Sequence, residues 1–443
     1  MRFAICKEKP PMKLLLLPLA VLLLVSTSLR AEAPGLDIGS GADPRDLPME
    51  ELRLFAEVIE RIRAAYVEDV DDSELLEAAI RGMLNELDPH SAYLSPDEFD
   101  DLRASTRGEF GGIGIEISMD DGLLRVVAPI DDTPASEAGL QAGDMILRID
   151  DESVRGMTMQ DAVNKLRGEP GTEVELQLLR EGSEAPEKVT LTRDTIRIQS
   201  VRSDMPVPGF GYLRVSQFQR NTAEDLRTHL KDLKEREELK GLVLDLRNNP
   251  GGTLDAAVDV ADVFLDSGLV VYTQGRDEGS RVDYEASSGD AAEDIPVVVL
   301  VNSGSASASE IVAGALQDQG RGIVMGRPTF GKGSVQTVLP LHQERALKLT
   351  TARYYTPSGR SIQAEGIAPD IEVDVARVEV QQRRERREAD LPRHLLGERE
   401  APVAEEPEKE DDEEEEPLVS RDYMLYQAIS VLRGIELSGR LRR

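Results

Sequence analysis

An unbroken apolar run, Val297 to Val301, passes through a turn of small residues, Asn302 to Ser307, and opens a helical pattern from Ala308 to Leu316. A strand that is apolar at every position, not every second one, must be covered on both faces, as in a sheet sandwiched between helices. The surrounding sequence agrees. Gly211–Phe218, Gly241–Leu246, Ile323–Met325, Val335–Leu339 and Leu347–Tyr354 read as strands, while Thr222–Glu238 and Leu254–Phe264 read as helices. Such alternation predicts an α/β layered core with a central, largely parallel sheet over 184–375.

The turn after that strand is also the place to look for chemistry. In α/β folds a strand-to-helix turn holds a side chain rigidly at the sheet edge, and the amides at the helix N-terminus favour developing negative charge. Four serines compete there: Ser303, Ser305, Ser307 and Ser309. Ser307 with Glu310 three residues on also fits a helix capping box, a purely structural device.

Two further segments carry chemical potential. Gly326-Arg-Pro-Thr-Phe-Gly-Lys332-Gly-Ser-Val-Gln336 nearly matches a phosphate-binding loop, but Gly333 stands where a hydroxyl must hold magnesium, and a strand follows where a helix is required. Lys332 between two glycines lets backbone or substrate approach, and burial would disfavour its charged form and leave an amine base. A solvent-exposed turn lysine is the bland alternative. In an extended chain Gln336 falls on the same side as Lys332 and would orient its amine. Asp245-Leu-Arg-Asn-Asn-Pro-Gly251-Gly252 ends a buried strand in a turn whose amides suit an oxyanion hole, although Asn-Pro-Gly-Gly is also simply a tight turn.

Net charge −32 argues against a nucleic-acid partner, which requires a basic surface. Part of that charge is local, since 405–416 carry ten acids against Lys409 alone and read as a solvated linker. Lys13 precedes the apolar run Leu14–Val25, which fades toward Ala31 and Ala33, so 1–33 reads as a secretory signal peptide or an uncleaved anchor. The one cysteine, Cys6, lies ahead of that run, which removes thiol chemistry from an exported mature chain. His90, His229, His342 and His394 lack metal-ligand spacing, and neither a metal nor a cofactor is expected.

Between these ends, 47–107 reads as a helical region, with apolar stripes over Pro48–Tyr66 and Ser73–Leu87 and a third, Pro-initiated helix after Ser95. Residues 108–183 change to glycine-led short strands with a helix over Thr158–Leu166, a compact mixed module. The extension 376–443 passes the acidic linker and ends in an amphipathic stretch, Tyr423–Leu437, suited to dock on the core or on another subunit.

Taken in order, several of these segments resemble the C-terminal processing peptidases, or tail-specific proteases. The resemblance covers residues 50 to 375 and rests on Leu87-Asp-Pro-His-Ser-Ala-Tyr-Leu-Ser, Gly108-Glu-Phe-Gly-Gly-Ile-Gly-Ile, and the PDZ-like Pro134-Ala-Ser-Glu-Ala-Gly-Leu-Gln-Ala-Gly-Asp. It continues through Asp245–Gly252, Ser305–Asp318, Thr329–Gln336 and Tyr355-Thr-Pro-Ser-Gly-Arg-Ser-Ile-Gln. It implies a serine endopeptidase with Ser307 as nucleophile, Lys332 as base assisted by Gln336, and an oxyanion hole from Ala308 with Gly251 or Gly252. It further implies an inserted PDZ domain whose Gly112, Ile113, Gly114 and Ile115 receive a substrate's terminal carboxylate, with Arg167 as a relay to the active site or a solvated arginine. The expected partners are protein or peptide substrates with accessible C-termini. An adaptor protein, a homo-oligomer and inner-membrane association through the N-terminal segment are left open. A silent PDZ scaffold, binding C-termini without cutting them, is the alternative reading, and an ATPase stands third.

Overall fold

A computed structural model describes residues 48–120, 122–130, 132–180, 185–293, 295–376 and 418–441. The apolar run of 1–33, Cys6 and the acidic segment 405–416 lie outside them. No helix among the described residues is long and apolar enough to cross a membrane.

The chain divides into two compact units at Leu75. In the first, the helix Met49–Ala65 buries none of its residues, and Leu52 and Phe55 on its apolar stripe are exposed. The expected packing of that stripe is therefore not met among the described residues of its own unit.

The second unit holds the layered core. Among the described residues its main sheet has six strands, in the order Val201–Val207, Phe210–Val215, Gly241–Asp245, Val297–Val301, Gly322–Gly326 and Ile371–Glu372. The first pair is antiparallel and the rest are parallel. Alternation along each strand feeds two cores. Val297, Val299 and Val301 pack with the helices Thr222–Arg236, Leu254–Asp262 and Ala308–Asp318 on one face. Val298 and Leu300, with Phe210, Val243 and Met325, point to the other. There Met424, Leu425, Ala428, Ile429 and Leu432 of the helix Tyr423–Leu441 cover them at helical spacing, so the C-terminal stretch docks on the core of its own chain. Each large aliphatic side chain so buried is worth about 1.5–3 kcal/mol.

A second, antiparallel sheet was not foreseen. It pairs Ala92–Leu94, Ala346–Tyr355, Gly268–Gly275 and Val282–Ala286 in that order, with Ser334–Pro340 also on Ala346–Tyr355. The strands that follow Lys332 thus leave the parallel sheet and form a separate layer. The glycine-led module has its own sheet and core, around Leu124, Ile146, Ile149, Leu176 and Leu178. Glu187–Thr192 pairs with Glu173–Leu179, and Leu191 is buried with that core, so this sheet runs past residue 183.

Candidate active site

The Val297–Val301 strand delivers the serine-rich turn to the sheet's carboxyl edge, beside the turn that ends Gly241–Asp245. Two of the four serines lock these turns together. Ser305 and Ser309 are fully buried, and their hydroxyls donate to the carbonyls of Leu246 (2.8 Å) and Asn249 (2.9 Å). Ser303 is exposed. Ser307, at the N-cap of the Ala308–Asp318 helix, adopts φ 55° and ψ −109°, a strained conformation for a residue with a Cβ, and lines a cavity of about 600 Å³. Lys332, Gln336 and Gly252 line the same cavity.

The glycine pair of the neighbouring turn sits against this serine. A Cβ on Gly251 would lie 2.8 Å from the Ala306 carbonyl oxygen, 3.0 Å from Ser307 Cβ and 3.1 Å from the Ala308 nitrogen. One on Gly252 would lie 2.0 Å from the Phe218 carbonyl oxygen. The Gly251 amide already donates to Asn249 Oδ1 at 2.9 Å. Of the two glycines, Gly252 is therefore the one whose N–H has no hydrogen-bond acceptor among the described residues.

Lys332 precedes the strand Ser334–Pro340 instead of lying in it, and the register shifts between Val335 and Gln336, so simple alternation does not set their relation. The two meet at the cavity all the same. The glycines beside Lys332 are needed for a different neighbour than substrate. A Cβ on Gly333 would fall 2.3 Å from the Gln363 nitrogen, and Gly331, at φ +90°, accepts from the Ala364 amide at 2.9 Å. Lys332 is half-buried. Burial, and then the positive charge of Lys348, push its pKa below the ordinary lysine value against the opposing pull of Glu310 and Asp88. Gln336 donates its amide to Ser334 Oγ (2.9 Å) and Thr350 Oγ1 (3.3 Å), leaving its carbonyl oxygen as the acceptor end.

Glu310 was visible in the sequence only as half of a capping box, yet it is the hub of the site. Fully buried, it accepts the Ser307 amide (2.7 Å) and the Lys332 amide (2.9 Å) on Oε2. On Oε1 it accepts the Thr329 hydroxyl (2.6 Å) and the Gly331 amide (2.7 Å). One carboxylate thereby fixes the serine turn and the lysine segment in a common frame.

A second carboxylate braces the glycine turn. Asp245, fully buried, accepts from Tyr212 Oη (2.7 Å), Arg214 Nη1 (3.2 Å), and the Arg247 amide, Nε and Nη2 (2.9, 2.9 and 2.6 Å). Burial and the Asp245 charge push the Tyr212 phenol up to about 12. Arg247 in turn grips Asp422, next to the C-terminal helix, at 2.7 and 3.0 Å. No local pattern in the sequence points to that pairing, across 175 residues.

The glycine-led module carries a separate cleft of about 170 Å³ whose lining includes Gly112, Ile113, Gly114, Ile115 and Arg167. Arg167 forms an ion pair with Asp101 and lies 5.0 Å over the Phe110 ring. Asp101 belongs to the helix Pro96–Arg107, which also supplies Phe99, Leu102, Arg103 and Arg107 to the cavity around Ser307.

Comparison with known proteins places this architecture. Residues 209–373 match peptidase family S41, 125–180 a PDZ domain, and 27–98 the activating protease CtpB N-terminal domain. A carboxy-terminal-processing protease of Bartonella bacilliformis is 49% identical over 73% of this chain and 75% of its own length. The chain belongs to the carboxy-terminal-processing proteases. Other members include a Synechocystis carboxyl-terminal-processing protease, 40% identical over 66% of this chain and 69% of its own length. CtpB of Bacillus subtilis is 37% identical over 74% of this chain and 68% of its own length. As a carboxy-terminal-processing protease the chain is a serine peptidase with a PDZ domain, and the phosphate-loop reading of Lys332 falls away.

Proposed function

We propose that this protease binds the C-terminus of an extended polypeptide in the PDZ cleft and hydrolyses backbone amides with a Ser307–Lys332 dyad. The observation that carries the reading is the convergence of Ser307, Lys332, Gln336 and Gly252 on one cavity, with the lysine biased toward its neutral form. Neutral Lys332 takes the Ser307 hydroxyl proton as Oγ attacks the carbonyl carbon. The carbonyl electron pair moves onto oxygen, where the Gly252 and Ala308 amides stabilise it. Collapse breaks the C–N bond, and the lysine ammonium gives its proton to the departing amine. Lys332 then deprotonates a water, which attacks the acyl carbon; Ser307 leaves and regains the proton. The Gln336 carbonyl oxygen orients the amine.

Arg167 is assigned as the link between cleft and catalysis. Its ion pair with Asp101 supports this, because a shift of the helix Pro96–Arg107 moves a wall of the active-site cavity. The apolar run Leu14–Val25 supports export and envelope proteins as substrates.

The test is cleavage of an unfolded protein with a free apolar C-terminus, followed by mass spectrometry of the products. Ser307→Ala and Lys332→Ala are each expected to lower kcat by about 10³-fold or more while leaving C-terminal peptide binding intact. Equal cleavage by the native chain and Ser307→Ala would sink the assignment of Ser307, and C-terminal peptide binding with no cleavage by the native chain would leave the scaffold reading.

A further inference from the structure

In a chain of net charge −32, the cavity around Ser307 is lined by five ionisable cations, Arg103, Arg107, Arg220, Lys332 and Lys348, and by no aspartate or glutamate. The other large cavity, about 640 Å³, mixes Arg107, Arg197 and Arg202 with Glu109, Glu116, Asp132 and Asp225, so a lining of five cations without an acid is not a general feature of this molecule's large cavities. Arg103 is partly engaged, 3.5 Å from Asp100 and 3.8 Å over the Phe99 ring. Among the described residues Arg107, Arg220 and Lys348 have no side-chain hydrogen bond or ion pair. Arg107 and Arg220 are exposed at the mouth, while Lys348 is half-buried beside Lys332.

Neighbouring positive charges raise one another's energy, and most surface arginines of an acidic protein find a carboxylate. A cluster left without partners in a concave site creates a positive potential that a bound anion would relieve. The chemistry that fits is a carboxylate carried by the peptide being cut.

We propose that the active-site cavity selects peptide segments bearing a carboxylate near the scissile bond, with Arg107 and Arg220 as the specificity-determining residues. The inference rests on the proposed function and adds a substrate class to it. The carboxylate has two sources, an Asp or Glu side chain beside the cleaved amide or the α-carboxylate of a short C-terminal product segment.

The experiment uses the full chain and peptides of one length with neutral, acidic or lysine-bearing residues flanking the cleaved amide, each as free acid and as C-terminal amide. At low salt, kcat/KM for the acidic peptides should exceed that for the neutral ones by about tenfold, mainly through KM, with lysine-bearing peptides worst. The gain should shrink in 0.5 M salt, beyond the Debye length of about 4–5 Å expected there. If the gain follows acidic side chains in both terminal forms, the side chain is the source. If only the free acids gain, it is the α-carboxylate. Arg107→Gln with Arg220→Gln should compress the acidic-to-lysine ratio about fivefold or more. Equal kcat/KM on the native chain both across the charge series and between free acids and amides overturns the inference, as does a double variant that shifts the pH profile and keeps the charge discrimination. Neutral peptides cut by the native chain and not by Ser307→Ala would leave the proposed dyad standing in either case.

Discussion

The cavity around Ser307 takes its walls from six stretches of chain between Phe99 and Tyr354, whereas the PDZ cleft takes its lining from two, Phe110–Ile117 and Val163–Arg167. The cleft is a local product: a glycine-led loop opposite the end of one helix, with backbone amides and apolar side chains as its tools. The active site brings together the edges of two different sheets, and its parts meet through buried carboxylates. Binding an extended peptide tolerates adjustment, but attack on an amide needs the reacting groups held to a fraction of an ångström. The difference in construction follows that difference in demand.

Removing the hub should separate the two regions most sharply. In Glu310→Gln the side chain keeps its size, yet one end becomes a donor facing two donors already there, either the Ser307 and Lys332 amides or the Thr329 hydroxyl and Gly331 amide. We expect kcat to fall by about 10²-fold through misplacement of serine and lysine. Stability should drop by about 1–3 kcal/mol for the unsatisfied buried groups. C-terminal peptide affinity, measured by calorimetry, should be unchanged. A loss confined to affinity would mean that fixed geometry is not what distinguishes the cavity from the cleft.

The second test concerns protonation, which matters to the cavity alone. The proposed base, Lys332, would act only when neutral, so kcat/KM should rise with pH through the depressed lysine pKa, in a limb below the ordinary value of about 10.4. Lys348 lowers that pKa, while Glu310 and Asp88 raise it, and His90 also lies within electrostatic reach of Lys332. Replacing Lys348 with Gln removes a like charge, so the proton is held more tightly and the limb moves to higher pH. At fixed neutral pH the rate should therefore fall, by a factor of about ten in the neutral fraction for each pKa unit gained. A pH–rate profile of the variant that overlays the native one would break the link between Lys348 and the base.

How much of this was legible in the sequence follows the same division. Val297–Val301 and its serine turn announced a layered α/β core, and the cleft residues Gly112–Ile115 sit in one local motif, because in both cases the determining contacts are near in sequence. The antiparallel layer escaped notice because strands such as Gly268–Gly275 pair with partners some eighty residues away, and strand patterns do not name their partners. Among the serines, local pattern could not separate Ser307 from Ser305 and Ser309. What separates them is whether the hydroxyl meets a carbonyl on the neighbouring turn, as Ser305 and Ser309 do. The bonds of Glu310 to the lysine segment and the Asp245–Arg247–Asp422 chain were illegible for a related reason. A buried charge is specified by donors brought from elsewhere, and only the folded chain assembles them.

The mildest test works from the cleft side. Gly114 sits at φ +78°, and a Cβ there would lie 2.4 Å from Thr133 Cβ and Oγ1, while the Thr133 hydroxyl donates to the Gly114 and Ile130 carbonyls at 3.1 and 2.6 Å. Gly114→Ala must therefore displace the loop that carries Gly112 to Ile115, without touching a group in the Ser307 cavity. KM for a protein with a free C-terminus should rise by about threefold with kcat nearly constant, the pattern of lost uniform binding. A short peptide amide, which has no terminal carboxylate to offer, should be cut at the native rate. If kcat for that amide falls as well, the cleft and the cavity are coupled even when the cleft is empty, and the Arg167–Asp101 contact is where that coupling should be sought, since it joins the cleft to the helix that walls the active site.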